Sequence, residues 1–347
     1  DDTEEPVEAA AEKSRDLYEI ASWEERTSID GAAVALFWLL TRAAKWIVVL
    51  LALGILAGIG GIAALSDPAV GMLTLLSVVP AAGLTLYVYR SDVTDAEPLS
   101  LLVTTFLLSI LFATFAALFN SYAERYFRPL GVFGMPLFFF LIVGPGEETV
   151  KLLAVRLYAY TDRRFDAVID GAVYGAVAGL GVATIENALY ILRQLSESGE
   201  LAELTIGLSA VAAGGDITAV RALAGPGHVI YSSIAGYYLG LAKFNPANRG
   251  PIVVKGLLLA AAIHATYNST VSIGSFAITR ITGLPGLGGF LVYVILFDSI
   301  FGLFLLRKLW RYRRHYLATI DAQPGAPTAD GRACQPSPVG ALRVRGA

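Results

Sequence analysis

Long apolar runs separated by short polar connections dominate the pattern along this chain. A helix that crosses a bilayer needs about 20 mostly apolar residues. Runs of about that length predict an all-α fold, a polytopic transmembrane helix bundle with about eight spans. The predicted spans are residues 33–65, 70–89, 99–119, 131–159, 167–192, 223–242, 252–273 and 286–306.

The composition agrees with a membrane protein. Hydrophobic residues make up 55% of the chain and charged residues only 16%, whereas soluble domains average about 25% charged residues. The single cysteine, Cys334, excludes an intramolecular disulfide framework. The net charge is −3 and no basic face stands out, so we expect the lipid bilayer as a partner and no nucleic acid.

The remaining polar residues divide the chain into five predicted regions. An acidic segment precedes the first three spans, and spans four to seven form a core that holds most of the buried ionisable residues. The last span has a basic flank, and the Pro- and Gly-rich tail is predicted to be disordered. The region boundaries are 1–32, 33–130, 131–275, 276–317 and 318–347.

Basic residues predict the orientation, because Lys and Arg collect in cytoplasmic loops. The densest cluster, at positions 307–314, follows the last span and places the C-terminus inside. An even number of spans then places the N-terminus inside as well, in a multi-pass protein of the cell membrane. Arg221 is assigned to a loop on the outer side.

Ionisable residues within the predicted spans are the candidates for function, since charge in a bilayer is costly. In span four, Glu147 and Glu148 follow Gly144-Pro145-Gly146, a predicted helix break. Lys151 lies one turn after Glu147, and this spacing predicts a Glu147–Lys151 ion pair.

Spans five to seven add further polar side chains. Span five contains Glu186, Asn187 and Tyr190 after a stripe of glycines, and spans six and seven contain His228 and His264. Asn268 shares one helix face with His264. The glycine stripe predicts close helix packing; its members are Gly171, Gly175 and Gly179.

Depth along the spans predicts that these groups converge. At about 1.5 Å per residue, Glu147, His228 and His264 lie within about 3 Å of one another in depth. Glu186 is expected about 10 Å away from that level, a difference that tilt of the helix absorbs. The ionisable groups in spans four to seven are therefore predicted to face one cavity.

This set of side chains favours hydrolysis. A carboxylate in a low-dielectric site is a competent general base near neutral pH, and His and Asn can stabilise an oxyanion. The chain has neither Gly-x-Ser-x-Gly nor His-Glu-x-x-His. The residues therefore predict cleavage of peptide bonds by a glutamate-activated water.

The same residues resemble the PrsW family of intramembrane proteases, which belongs with the CAAX prenyl endopeptidases and bacteriocin-processing enzymes. The resemblance covers about residues 137–268, and the acidic start of the chain looks like archaeal members. One departure is Val182, where the family usually has Phe. The matching pattern is Glu147-Glu148-x-x-Lys151, Glu186-Asn187, His228 and His264-x-x-x-Asn268.

The resemblance implies a glutamic-type endopeptidase that acts on membrane-anchored proteins without a cofactor. Glu147 would be the base and Glu148 its partner, while Glu186 and His228 would position the water. His264 and Asn268 would stabilise the oxyanion. The residues expected to support this site are Lys151, Asn187 and Tyr190.

Two alternatives remain open from the residues. Two histidines and a carboxylate are a recognised zinc-ligand set, so Glu147, His228 and His264 could instead serve a metallohydrolase. Intramembrane Glu and His residues also form proton relays, which would suit a proton-coupled transporter or a membrane scaffold. The chain lacks the internal repeat expected of many transporters.

Overall fold

The computed structural model describes residues 16–94, 96–201 and 206–321, and within them the chain is helical without a β-strand. This confirms the all-α class. Residues 1–15 of the acidic segment and 322–347 of the predicted tail lie outside the described residues. The helices, in chain order, are α1 (Ser28–Gly58), α2 (Gly61–Ser66), α3 (Pro68–Arg90), α4 (Leu99–Phe127), α5 (Gly134–Phe138), α6 (Gly144–Arg156), α7 (Val168–Ser198), α8 (Leu208–Lys243), α9 (Arg249–Thr282) and α10 (Gly286–Asp321).

Six helical stretches of the described chain are long and apolar enough to cross a membrane, as expected of a multi-pass protein. The predicted number of eight is not confirmed. The third and fourth predicted spans fall within one helical stretch, Leu99–Thr161. The sixth lies within α8, where glycine, serine, tyrosine and histidine interrupt the apolar run.

The described residues divide into two compact units, with the boundary between Gly54 and Ile55. In the first unit, a reciprocal cap marks the start of α1. The Thr27 amide donates to the Asp30 carboxylate (2.7 Å), and the Asp30 amide donates to the Thr27 hydroxyl (3.2 Å). These bonds satisfy amides that the first turn of a helix leaves without partners. All the site residues discussed below belong to the second unit.

The segment between α4 and α6 positions the two adjacent glutamates. A 3₁₀ turn, Arg128–Phe133, contains Gly131 at φ 62°, a conformation that glycine adopts without steric cost. A π-helical turn, Phe139–Val143, then leads into α6. Gly144 does not break the helix: a Cβ there would lie 2.6 Å from the Ala261 carbonyl oxygen, so α6 begins in close contact with α9.

The glycine stripe on α7 packs against α8, as predicted. A Cβ on Gly171, Gly175 or Gly179 would lie 2.1–2.4 Å from a carbonyl oxygen of α8. For Gly179 that oxygen belongs to His228. Only glycine permits this approach, so the stripe sets the distance between the helix that carries Glu186 and the helix that carries His228.

A Gly179→Ala substitution is therefore expected to destabilise the protein and to lower its activity. The new methyl group would lie 2.4 Å from the His228 carbonyl oxygen, and overpacking of this kind costs about 1–3 kcal/mol. Thermal unfolding in detergent measures the loss. Gly83→Ala on α3 is the matched control, because a Cβ there meets nothing within 4 Å; equal destabilisation of both variants would contradict the packing argument.

Candidate active site

A pocket of about 490 Å³ is lined by residues of α4, α6, α7, α8 and α9. It brings together residues that are far apart in sequence. Three of the predicted site residues, Glu148, Lys151 and Asn187, are not in its lining but are buried among the same helices. The predicted residues in the lining are Glu147, Glu186, Tyr190, His228, His264 and Asn268.

Glu147 lies in the first turn of α6 and faces the pocket. Its Oε1 accepts a hydrogen bond from Asn120 Nδ2 (3.1 Å). Its Oε2 is buried, has no hydrogen-bond partner among the described residues, and lies 3.7 Å from His264 Nε2. Asn120 was missed from the sequence because it directly follows the apolar run that defined span three.

Glu148, rather than Glu147, pairs with Lys151. Lys151 Nζ lies 2.7 Å from Glu148 Oε1, and the two side chains are 1% and 0% exposed. The predicted Glu147–Lys151 pair was wrong because residues three apart on a helix are also neighbours, and Lys151 follows the more deeply buried carboxylate. Glu148 also accepts a hydrogen bond from Ser232 (3.4 Å).

His264 connects the two glutamates. Its Nδ1 lies 2.9 Å from Glu148 Oε1. A carboxylate only accepts hydrogen bonds, so Nδ1 carries a proton in this contact. The Nε2 atom that faces Glu147 is therefore a lone-pair donor when the imidazole is neutral, and a hydrogen-bond donor when it is charged.

His228 lies between a cation and a carboxylate. Its Nδ1 is 2.9 Å from Lys151 Nζ, and its Nε2 is 3.3 Å from Glu186 Oε2. When Lys151 is an ammonium, its Nζ donates a hydrogen bond to His228 Nδ1, and His228 Nε2–H donates to Glu186. The Glu186 carboxylate therefore meets the His228 imidazole, and the expected depth difference of about 10 Å does not keep the two side chains apart.

Arg221 was assigned to a loop, and that assignment was wrong. It lies within α8, and its guanidinium donates to Glu186 Oε2 (3.2 Å) and to Asn187 Oδ1 (2.8 Å). Asn187 in turn donates to Ser77 Oγ (2.9 Å). Charged residues between positions 208 and 222 lower the hydropathy of this part of the helix, so it was not predicted as part of a span. Asn187 thus supports Arg221 from outside the pocket.

Tyr190 lines the pocket, whereas Asp298 lies outside its lining. The Arg221 guanidinium lies 4.3 Å from the centre of the Tyr190 ring, a cation–π distance. Asp298 lies in α10, and its Oδ1 is buried without a hydrogen-bond partner among the described residues. Asp298 lies within the predicted span 286–306, so one ionisable residue of the predicted spans lies outside spans four to seven.

The charges of the site are unbalanced when both histidines are neutral. Glu147, Glu148 and Glu186 face two cations, Lys151 and Arg221. Buried charge without compensation is strongly unfavourable. One further positive charge within the site would balance the three carboxylates.

The donor set also fits a metal ion. One ligand atom from each of Glu147, His228 and His264 lies within 4.8 Å of the others. Glu148 would act as the carboxylate that orients a ligating histidine. His228 can offer its Nε2 lone pair only if Nδ1 keeps the proton, which requires a neutral Lys151 amine. With a neutral Lys151, a divalent ion and Arg221 together would balance the three carboxylates.

Comparison with known proteins identifies the family. Residues 97–301 match the family described as PrsW family intramembrane metalloprotease. The chain belongs to the PrsW family. It is 32% identical over 200 residues to Protease PrsW of Geobacillus kaustophilus, covering 57% of this chain and 79% of that protein. It is 27% identical over 246 residues to Protease PrsW of Clostridioides difficile, covering 70% and 92%.

The expected likeness to archaeal members is not borne out, because both of these PrsW relatives are bacterial. No solved structure matches the chain. Family membership makes this chain an intramembrane protease, and the transporter and scaffold alternatives lose their support. The matched residues 97–301 contain every residue of the predicted site.

Removal of the Arg221 charge by Arg221→Gln is expected to slow cleavage by about 10- to 100-fold. The substitution releases Glu186 from its cation, and a hydrogen bond to a charged group is worth about 1.5–3 kcal/mol. The initial cleavage rate of a peptide substrate measures the effect. Arg193→Gln is the control, since Arg193 lines the same pocket but is 75% exposed and pairs with Glu197; an equal loss in both would contradict the role of the Arg221–Glu186 contact.

Proposed function

We propose that the pocket around Glu147 is the catalytic centre and hydrolyses peptide bonds of membrane-anchored proteins. The observation that carries the proposal is the buried Oε2 of Glu147, which has no hydrogen-bond partner among the described residues and faces His264 Nε2 at 3.7 Å. A buried carboxylate with a free oxygen beside an imidazole is suited to general-base chemistry.

In the proposed reaction, Glu147 Oε2 removes a proton from water as the oxygen attacks the carbonyl carbon of the peptide bond. The tetrahedral intermediate that forms carries a negative oxygen. Its collapse breaks the carbon–nitrogen bond, and the proton held by Glu147 passes to the leaving amine. Asn120 keeps the carboxylate in place through its bond to Oε1 (3.1 Å).

His264 and Asn268 are proposed to stabilise the negative oxygen. They lie one turn apart on α9, and both line the pocket. Glu148 binds His264 at Nδ1 (2.9 Å), which leaves Nε2 as the atom that would donate to the negative oxygen. Preorganised donors of this kind typically contribute about 2.7–4 kcal/mol to lowering the barrier. Glu186 and His228, in contact at 3.3 Å, are proposed to position the water.

The proposed substrate lies in or at the bilayer, because the residues of the pocket are carried by helices that include candidate membrane spans. We place the protein in the cell membrane with both termini in the cytoplasm. This orientation is supported by the basic residues that follow the last apolar run at positions 307–314.

A metal-dependent centre is the second candidate. It is favoured by the close ligand atoms of Glu147, His228 and His264 and by the family description as a metalloprotease. These residues would hold a divalent ion, which would polarise the substrate carbonyl and lower the pKa of bound water. His228 and His264 would then each offer Nε2 as a ligand atom.

Cleavage of a panel of membrane-tethered peptides by the purified protein in detergent tests the proposal. The first candidate predicts cleavage that survives exhaustive chelation, with no stoichiometric metal by elemental analysis. The second predicts loss on chelation and recovery when a divalent transition metal is added. A failure to cleave any peptide, with the fold verified by thermal unfolding, would count against the pocket as a peptidase centre.

A further inference from the structure

A second group of buried carboxylates lies away from the pocket, where the connection between α3 and α4 meets the start of α7. One carboxylate oxygen from each of Asp92, Glu97 and Asp170 lies within 4.8 Å of the others. Asp170 precedes Glu186 by 16 positions on α7, which corresponds to about 24 Å along the helix. The group therefore takes no part in the proposed hydrolysis.

Each carboxylate uses one oxygen for contacts inside the protein. Glu97 Oε2 accepts from the Tyr174 hydroxyl. Asp170 Oδ2 accepts from the backbone amides of Asp166 (2.7 Å) and Ala167 (2.8 Å), just before α7. These bonds hold the two side chains in fixed positions.

Asp92 follows the same pattern at the end of α3. Its Oδ1 accepts from the amide (3.0 Å) and the hydroxyl (2.7 Å) of Thr94. These two bonds form a local turn. The other oxygen of the same carboxylate remains available.

The second oxygen of every carboxylate in this group is buried and has no hydrogen-bond partner among the described residues. Glu97 is 5% exposed and Asp170 is 0% exposed. Buried polar atoms are nearly always paired, and exceptions point to a role or to an ion. The three such oxygens here are Asp92 Oδ2, Glu97 Oε1 and Asp170 Oδ1.

No cation among the described residues forms a direct ion pair with this group. In the part of the chain that the structure describes, no Lys or Arg side chain lies within 4.0 Å of these carboxylates. Lys243 Nζ instead donates hydrogen bonds to the backbone carbonyls of Tyr160 (2.8 Å), Asp162 and Phe165. Burial raises the pKa of Glu97 to about 8, and the neighbouring carboxylates add to that rise.

We propose that Asp92, Glu97 and Asp170 bind one divalent cation of the hard class, Ca²⁺ or Mg²⁺. Three carboxylate oxygens without nitrogen or sulfur suit these ions, which complete their coordination with water. The cation is coordinated by residues of both the α3–α4 connection and the first turn of α7, and so stabilises the contact between them. Because α7 also carries Glu186, the cation stabilises the helix on which the proposed centre depends.

Thermal unfolding of the full-length protein in detergent tests this proposal. After chelation, added Ca²⁺ or Mg²⁺ is expected to raise the Tm of the wild type. At a cation concentration 100 times the Kd, the unfolding equilibrium shifts by about 100-fold. Separate titrations with the two ions identify which one the site prefers.

Glu97→Gln is the test variant. It replaces one of the three carboxyl groups by a neutral amide whose oxygen still accepts from Tyr174, so it is expected to fold in chelator at least as well as the wild type. It is also expected to lose the cation-induced rise in Tm. Glu197→Gln, an exposed position at the end of α7 (61% exposed), should keep that rise.

Terbium luminescence gives an independent readout, because a lanthanide held by Glu97 lies close to the Tyr174 ring, which can sensitise it. Emission is expected in the wild type and in Glu147→Gln, and is expected to be lost in Glu97→Gln. The Glu147→Gln arm separates this site from the proposed catalytic centre. Equal responses of wild type and Glu97→Gln, or no response in either, would overturn the cation site.

Discussion

A Glu147→Gln variant is expected to fold like the wild type and to cleave peptides about 10²- to 10⁴-fold more slowly, the range contributed by general acid–base catalysis. The glutamine amide has nearly the same shape, and its oxygen can still accept from Asn120 (3.1 Å in the wild type). It cannot take a proton from water. Initial rates measured by mass spectrometry, with thermal unfolding of the same preparation, separate lost chemistry from lost structure.

Glu124→Gln is the matched control for this substitution. Glu124 lines the same pocket from α4 but forms a surface pair with Arg128 (2.9 Å). Its amide variant is expected to keep the wild-type rate. A Glu147→Gln variant as active as Glu124→Gln would remove Glu147 from the mechanism.

Metal content of the Glu147→Gln variant distinguishes the two candidate mechanisms. If Glu147 is a ligand beside His228 and His264, the variant is expected to lose bound metal together with activity. If Glu147 acts on water directly, the activity falls while metal content, measured by elemental analysis, stays at the background of the wild type. Both outcomes are measured with the same peptide-cleavage assay.

Charge within apolar runs made the candidate site predictable from the sequence. A buried charge is expensive, so few are retained without a use, and Glu147, Glu186 and the two histidines stood out for that reason. The glycine stripe was predictable as well, because a four-residue spacing of small residues places them on one face. Both inferences depend on spacing along one helix, which sequence specifies directly.

Partners that lie at the edges of apolar runs were not predictable in the same way. Asn120 directly follows one run and Arg221 closely precedes another, so hydropathy placed them outside the spans. In the structure they donate to Glu147 and Glu186. Helices extend beyond their most apolar part, and the first polar residue beyond that part can face inward. Span boundaries drawn from hydropathy therefore exclude the residues that donate hydrogen bonds to the carboxylates.

The rotation of each helix about its axis and its contacts with other helices could not be predicted from the sequence either. The choice of Lys151 between Glu147 and Glu148 depends on which side chain the neighbouring helices bury. The level of Glu186 relative to His228 depends on how α7 and α8 cross. Likewise, Asp92 and Glu97 lie between two predicted spans, and only the fold shows that they lie close to Asp170.

A Lys151→Met variant is expected to lose about 3–5 kcal/mol of stability, the cost of breaking a buried ion pair by removing one partner. Lys151 is 1% exposed and contacts both Glu148 (2.7 Å) and His228 (2.9 Å). Methionine fills the space but leaves the Glu148 charge without its cation. Denaturant unfolding in detergent measures the loss, and Lys255→Met, at an exposed position of α9, is the control.

The double variant Lys151→Met/Glu148→Gln shows whether the pair serves stability or the site. Removing both charges is expected to recover most of the lost stability, because a buried pair can be replaced by neutral groups at little net cost. Activity is not expected to recover, since the amide of residue 148 no longer stabilises a charged His264 and His228 has lost its donor. If the double variant cleaved peptides at the wild-type rate, Lys151 and Glu148 would be a structural pair alone, and His264 would take its proton from elsewhere.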